Sequence, residues 1–177
     1  MKYLFRIFGC AMNYADSERV ASVLHDMNYE VAENLDEADL VILFTCSVKQ
    51  KSEDKVFGEL QKLTKWKKEK SNRKIGLTGC MIRKTSTQNS QKKDSLLRRG
   101  TVLDFVWRIE ESEKLSTLIT QTSANCKSST KNFFTIKPNH KNKFSVCVPI
   151  STGCDNFCTY CIVPHARGRE VSRSEAE

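Results

Sequence analysis

Leu40-Val41-Ile42-Leu43-Phe44 runs directly into Thr45-Cys46-Ser47-Val48. Five consecutive apolar residues show no polar alternation, so this is not a strand with one wetted face. It reads as a parallel strand covered on both sides. The same grammar extends outward in both directions. Upstream, Tyr3 to Phe8 reads as a strand. Asn13 to Met27 reads as a helix with Val20, Ala21, Val23, Leu24 and Met27 on its apolar side. Asp16 and Glu18 fall in the expected first turn of that helix, where the helix dipole favours acids. Downstream come a helix from about Ser52 to Lys70, a strand from Lys74 to Thr78, a lysine-rich helix from Gln91 to Arg99, a strand from Val102 to Trp107 and a helix from about Ser112 to Ile119. Repeated strand-helix units with no internal sequence repeat predict an α/β fold, a parallel sheet between two helical layers.

From Thr120 to Lys143 this pattern gives way to Ser, Thr, Asn and Lys. The expected organisation is an α/β domain over residues 1–122, a linker over 123–143 and a second segment over 144–177. The apolar run Phe144 to Ile150 reads as the first strand of that segment. A cysteine-rich loop and a basic tail follow, and Ser174 with Glu177 has the spacing of a capping box.

Composition narrows the classes. Of 177 residues 39% are apolar and 28% charged, and the mean hydropathy is −0.48. No stretch approaches the run of about 20 apolar residues that a membrane-spanning helix needs. Charge also interrupts Met1-Lys2-Tyr3-Leu4-Phe5-Arg6 too early for a secretory signal. The expected compartment is the cytoplasm. The net charge of +8 is unevenly spread: residues 1–48 carry 3 basic and 8 acidic side chains, 49–99 carry 16 and 5, and 100–177 carry 10 and 8. The basic middle suits a polyanion such as RNA, because each neutralised phosphate releases counterions; a solvated helix face is the competing reading.

Eight cysteines in a reducing compartment call for metal or redox chemistry, since disulfides are disfavoured there. Cys154, Cys158 and Cys161 form C-x-x-x-C-x-x-C after a strand. Three thiolates on one loop can hold three irons of a cubane, leaving the fourth open to a small chelating molecule. A zinc knuckle competes, but structural zinc takes paired C-x-x-C units and four ligands. Cys10, Cys46 and Cys80 are separated by 35 and 33 residues, yet each follows a strand. In an open parallel sheet, carboxyl ends share the edge where ligand crevices form. Gly9 and Gly79, each just before a cysteine, admit close approach of the backbone to a bulky group. Three buried structural thiols remain the alternative. Cys126 falls in the polar linker and Cys147 in the Phe144 to Ile150 run; neither is placed as a ligand, and Cys147 is assigned to core packing.

On these residues the sequence resembles the methylthiotransferase family of radical S-adenosylmethionine (SAM) enzymes. The resemblance rests on Gly9-Cys10-Ala11-Met12-Asn13 with Asp16-Ser17-Glu18, on Thr45-Cys46-Ser47-Val48, on Thr78-Gly79-Cys80-Met81, and on Gly153-Cys154 through Cys161-Ile162-Val163-Pro164 with Arg167-Gly168-Arg169-Glu170 and Ser172-Arg173. Two places depart from it. Phe44 stands where family members usually carry Asn, and Ile82 to Arg99 is unusually basic and polar. The Cys-x-Met-Asn and Thr-Cys-Ser-Val forms resemble the branch that methylthiolates isopentenyl-adenosine beside the tRNA anticodon; branches acting on threonylcarbamoyl-adenosine or on a ribosomal protein are the alternatives.

The resemblance implies two 4Fe-4S clusters, one on Cys154, Cys158 and Cys161 with SAM at its open iron, and one on Cys10, Cys46 and Cys80 that carries or donates sulfur. It implies that Tyr160 lies near the SAM adenine and that Arg167, Arg169 and Arg173 contact phosphate or cofactor. Implied partners are the tRNA anticodon stem-loop and a reducing donor such as flavodoxin or ferredoxin, with no membrane and a monomeric state. The second segment corresponds to the first strand and cluster loop of a partial (β/α) barrel, and the chain to an amino-terminal portion of such an enzyme, inactive alone. For the chain by itself, a non-catalytic iron-sulfur or RNA-binding module and a zinc-binding RNA-interaction protein are the other readings.

Overall fold

In the computed structural model, which describes residues 1–82, 102–120, 133–140, 142 and 144–175, β3 (Leu40–Thr45) is buried at every position. Its alternate side chains enter two separate cores. Val41 and Leu43 join Ile75 and Leu77 against Val56, Leu60, Leu63 and Trp66. Leu40, Ile42 and Phe44 join Tyr3 against Val20, Ala21 and Leu24. A continuous apolar run is therefore required, because this strand has no solvent face. Each of these fully buried aliphatic or aromatic side chains contributes roughly 1.5–3 kcal/mol.

β1 (Lys2–Ile7) and β4 (Lys74–Gly79) flank β3 in parallel, with Ile7 opposite Phe44 and Thr45 opposite Gly79. The sheet is completed by β2 (Glu30–Val31) and β5 (Phe105–Val106) in the order β2-β1-β3-β4-β5, every pair parallel. Helix α1 (Ala11–Asp26) and the short α3 (Leu115–Thr120) cover one face, and α2 (Gln50–Glu69) covers the other. The turn from α2 into β4 is locked by Arg73, which is 2% exposed. Its guanidinium lies 4.6 Å from the Trp66 ring centre and donates to the carbonyls of Trp66 and Asp36. The expected three-layer α/β fold is present.

Several boundaries differ from the sequence expectation. Helix α1 starts two residues early, with Cys10 as its N-cap, so its first turn holds no acid. Asp16 consequently lies in the second turn, buried to 1% exposure, and burial beside a cation takes the place of the expected dipole contact. The expected strand over Val102 to Trp107 contracts to two residues. Asp104 presents a carboxylate to the Ile75 N–H (2.7 Å) and to Lys67 (2.5 Å), so a side chain replaces part of the ladder. A 3-10 turn over Ile109–Lys114 precedes α3. β2 is two exposed residues long, too short to leave a pattern.

The second segment departs furthest. Phe144 to Ile150 forms no strand among the described residues, although the Ile150 carbonyl at its end accepts from the Arg173 N–H (2.9 Å). Phe144 is 98% exposed, and Cys147 is exposed rather than packed in a core. Strand pairing requires a neighbour's N–H and C=O groups, and Pro149 removes one donor from the run. The segment's paired strands are β6 (Ser151–Thr152) and β7 (Val171–Ser172), antiparallel, with helix α4 (Val163–Arg167) between them. Part of the expected linker is docked on α1: Asn139 N–H donates to the Glu18 carbonyl, His140 Nδ1 meets Glu18 at 2.7 Å, and Phe134 is buried. The expected helix Gln91 to Arg99, the stretch 121–132 with Cys126, and Glu177 of the capping box lie outside the described residues.

Candidate functional site

The sheet winds one way from β1 to β2 and the other way from β3 onward, so β1 and β3 diverge at a topological switch point, where ligand crevices open at strand carboxyl ends. Cys10 and Cys46 follow those two strands, and Cys80 follows β4, next to β3. The fold brings the three backbones to one edge. Cys46 and Cys80 are buried and Cys10 is exposed.

Thr45 ties the strand ends together. Its carbonyl accepts from the Cys80 N–H (2.9 Å) and from Asn13 Nδ2 (3.2 Å), while its hydroxyl donates to the Thr78 carbonyl (2.7 Å). Ser47 Oγ donates to the Cys80 carbonyl (3.0 Å). Gly79 sits opposite Thr45 with φ +99°, and a Cβ there would fall 2.5 Å from the Thr45 carbonyl oxygen. A Cβ on Gly9 would fall 1.5 Å from Asn13 Nδ2. The two glycines thus let the strand ends close over Thr45 and Asn13, a role nearer to backbone packing than the expected approach of a ligand. Phe44, at the position of the family's Asn, packs edge-on against Phe5 at 5.1 Å in the α1-side core.

One side chain crosses from the second segment into this edge. Arg167, the last residue of α4, donates through Nε to Cys80 Sγ (3.3 Å) and through Nη2 to Asn13 Oδ1 (3.0 Å). Its Nη1 pairs with Asp16 Oδ2 at 2.7 Å. Burial works against the Arg167 charge, but the Asp16 carboxylate and Cys80 sulfur outweigh it and hold the guanidinium above its ordinary value. Burial pushes the Asp16 carboxyl up against the opposing pull of Arg167. Facing a permanently charged guanidinium at this distance, Asp16 is the ionised partner at neutral pH. Burial also pushes the Cys80 thiol up, again against Arg167. Arg167, expected to contact phosphate or cofactor, has all three groups of its fork engaged by protein atoms, one of them the Cys80 sulfur. The sequence places Asn13 and Asp16 in the Cys10 motif but assigns neither a role at the site. Their spacing of three and six from Cys10 places them on one helical face, and polar residues on a face turned toward a strand end are the available signal.

The contiguous cysteines lie on the turn between β6 and α4. The Cys154 N–H donates to the Gly168 carbonyl (3.1 Å) and the Cys161 N–H to the Cys158 carbonyl (2.9 Å), and Asn156 Nδ2 lies 3.4 Å from Cys154 Sγ. Phe157 holds a left-handed backbone (φ 46°), with the Arg169 guanidinium 4.6 Å from its ring centre. Cys158 is exposed and Cys154 and Cys161 are partly so. Tyr160 is 90% exposed. Arg169 pairs with Asp155 at 3.5 Å and stays 70% exposed, and Arg173 lies 5.9 Å from the Phe134 ring centre.

Among the described residues no three Cys, His, Asp or Glu side chains converge as a metal site. The chemistry of the donor sets nonetheless fits iron-sulfur clusters. Both sets consist of thiols alone, and N–H donors already point at Cys80 and Cys154 sulfur, the kind of hydrogen bond that tunes a thiolate-held cluster.

The uncharacterized protein family UPF0004 matches residues 2–99, more than half of the 177. The chain belongs to the UPF0004 family. The UPF0004 match takes in Cys10, Cys46 and Cys80, and similarity to curated proteins continues through the second triplet. A tRNA-2-methylthio-N(6)-dimethylallyladenosine synthase of Dictyoglomus thermophilum is 38% identical over 99% of this chain and 40% of that protein. Proteins with the same name in Citrifermentans bemidjiense and Bacteroides fragilis are 34% and 38% identical over 99% and 97% of this chain, and over 40% and 38% of their own lengths. The methylthiotransferase resemblance read from the cysteine motifs is borne out, and the UPF0004 chain spans about two fifths of these relatives.

Proposed function

We propose that this chain belongs to a tRNA-modifying methylthiotransferase that inserts sulfur and a methyl group at C2 of isopentenyl-adenosine next to the anticodon. The observation that carries the reading is the pair of thiol triplets in one chain, one spread across adjacent strand ends and one contiguous on a turn. Cys10, Cys46 and Cys80 would hold one 4Fe-4S cluster, and Cys154, Cys158 and Cys161 the other, together with SAM. When bound, these groups supply reductive cleavage of SAM and the sulfur and methyl that are transferred. The chain's own part is to hold and orient them. Thr45 and Gly79 keep Cys46 and Cys80 in register, and the exposed Tyr160 ring is free to stack on an adenine.

The division into a domain over 1–122, a linker over 123–143 and a second segment from 144 belongs to the same reading. No helix among the described residues is long and apolar enough to cross a membrane; a cytoplasmic location and a monomeric state are further parts of the proposal. The basic stretch 49–99 suits the tRNA backbone, and a flavodoxin or ferredoxin would supply electrons.

Iron analysis of anaerobically purified chain tests the ligand sets. About eight irons per chain is the expected value, about four leaves one cluster, and zinc without iron removes both. Mass analysis of tRNA nucleosides from cells lacking the gene tests the substrate: the methylthio-isopentenyl nucleoside should vanish, and an unchanged profile refutes the assignment.

A further inference from the structure

Arg167 is a residue that the assigned chemistry leaves without a task. It lies six residues beyond the last contiguous cysteine, yet its side chain ends at the other triplet. It is 8% exposed, and all of its partners lie in the first domain. Asp16 and Asn13 engage the two Nη groups, which fixes the plane of the guanidinium and leaves Nε–H directed at Cys80 Sγ. We propose that Arg167 is a positioning residue for the strand-end thiol site, holding an N–H donor against the Cys80 sulfur from the segment that carries the other thiol triplet. The inference rests on the reading of Cys10, Cys46 and Cys80 as cluster ligands.

The arrangement has a definite electrostatic consequence. Asp16 balances the guanidinium charge, so the effect on a bound centre comes mainly from the aimed N–H rather than from net charge. Reduction places extra negative charge on cluster and ligand sulfurs, and an N–H held at the sulfur stabilises the reduced state more than the oxidised one. Lysine keeps the charge but lacks the fork that Asp16, Asn13 and Cys80 share. Arg167→Lys therefore separates aim from charge.

The test uses the full chain carrying Cys154→Ala, Cys158→Ala and Cys161→Ala, so that only the strand-end site can load. After anaerobic reconstitution with iron and sulfide, the parent is expected to hold about four irons. In an EPR-monitored redox titration, Arg167→Lys should retain its iron but show a reduced-to-oxidised ratio about tenfold lower at a fixed potential, equivalent to about 59 mV for one electron. Iron retained with a ratio changed less than twofold overturns the positioning role alone. No iron in the parent overturns the ligand assignment and this inference with it. Should Arg167→Lys lose its iron or its fold, the parent grown with guanidino-15N arginine decides: pulsed EPR of the reduced centre must detect a 15N coupling, and its absence overturns the role.

Discussion

Gly79→Ala should be among the most damaging single-methyl additions this fold can receive. The residue closes β4 at φ +99°, and the new Cβ would lie 2.5 Å from the Thr45 carbonyl oxygen and 2.7 Å from the Thr45 nitrogen. Both clashing atoms are backbone, so no rotamer change relieves them. Holding a non-glycine residue in a sparsely populated conformation costs roughly 1–3 kcal/mol, and overpacking of a tight site a further 1–3. The expected loss is about 4 kcal/mol, a large part of the 5–15 kcal/mol typical of a domain. At about 2–4 °C per kcal/mol for a chain of this size, Tm should fall by roughly 8–16 °C. Gly58→Ala is the control: Gly58 is exposed inside α2 with nothing within 4 Å of the added Cβ, and alanine there should stabilise by about 0.5–1 kcal/mol. Urea unfolding followed by far-UV circular dichroism and by fluorescence of the buried Trp66 and Trp107 measures both. Mass-mapped alkylation of Cys80, 7% exposed in the native chain, should accelerate only in Gly79→Ala. A Gly79→Ala loss below 1 kcal/mol, or equal losses in both variants, would refute the reasoning.

Other perturbations bear on the same framework. Asp16→Ala leaves Arg167 buried and uncompensated, and should cost about 3–5 kcal/mol in urea unfolding at neutral pH; recovery is expected when Arg167→Met is added. Leu63→Ala, fully buried under β3 on α2, should cost about 2–5 kcal/mol with no change in Cys80 alkylation. Tyr3 gives a pH-dependent test: burial pushes its hydroxyl up to about 12 from 10.0, and the hydroxyl finds no hydrogen-bond partner among the described residues. Above pH 10 the unfolded chain ionises first, so stability present below that pH should fall by about 2–3 kcal/mol on going to pH 12. Tyr3→Phe should flatten that alkaline limb in urea titrations, and an unflattened limb would assign it to another group.

Reading the sequence worked where a residue's environment follows from its nearest neighbours. The uninterrupted Leu40 to Phe44 run could only be a two-sided strand, and the three strand-end cysteines fell on the edge that parallel topology defines. It failed where partners are distant. Nothing within Phe144 to Ile150 distinguishes a paired strand from an exposed one, because the distinction lies in the backbone beside it. Nothing around Asp104 announces that its carboxylate will substitute for ladder hydrogen bonds. Sequence alone gives Asp16 only a dipole-favoured place in a first helical turn, because Arg167, the residue that justifies its burial, is 151 positions away.

That separation also explains how the molecule divides its labour. Asn13, Asp16 and Arg167 are buried polar groups at the strand-end edge, while both faces of the sheet are covered by apolar side chains. A buried ion pair is weak evidence for stability, since hydrophobic replacements of both partners are often neutral or better. What the pair does here is geometric: it sets one guanidinium against one sulfur and joins the carboxyl end of α4 to the first helix. If that is its work, Asp16→Ala combined with Arg167→Met should restore the urea midpoint while leaving Cys80 without its donor. A double variant that folds as well as the parent, yet alkylates faster at Cys80, would show that the network is kept for the site and not for the fold.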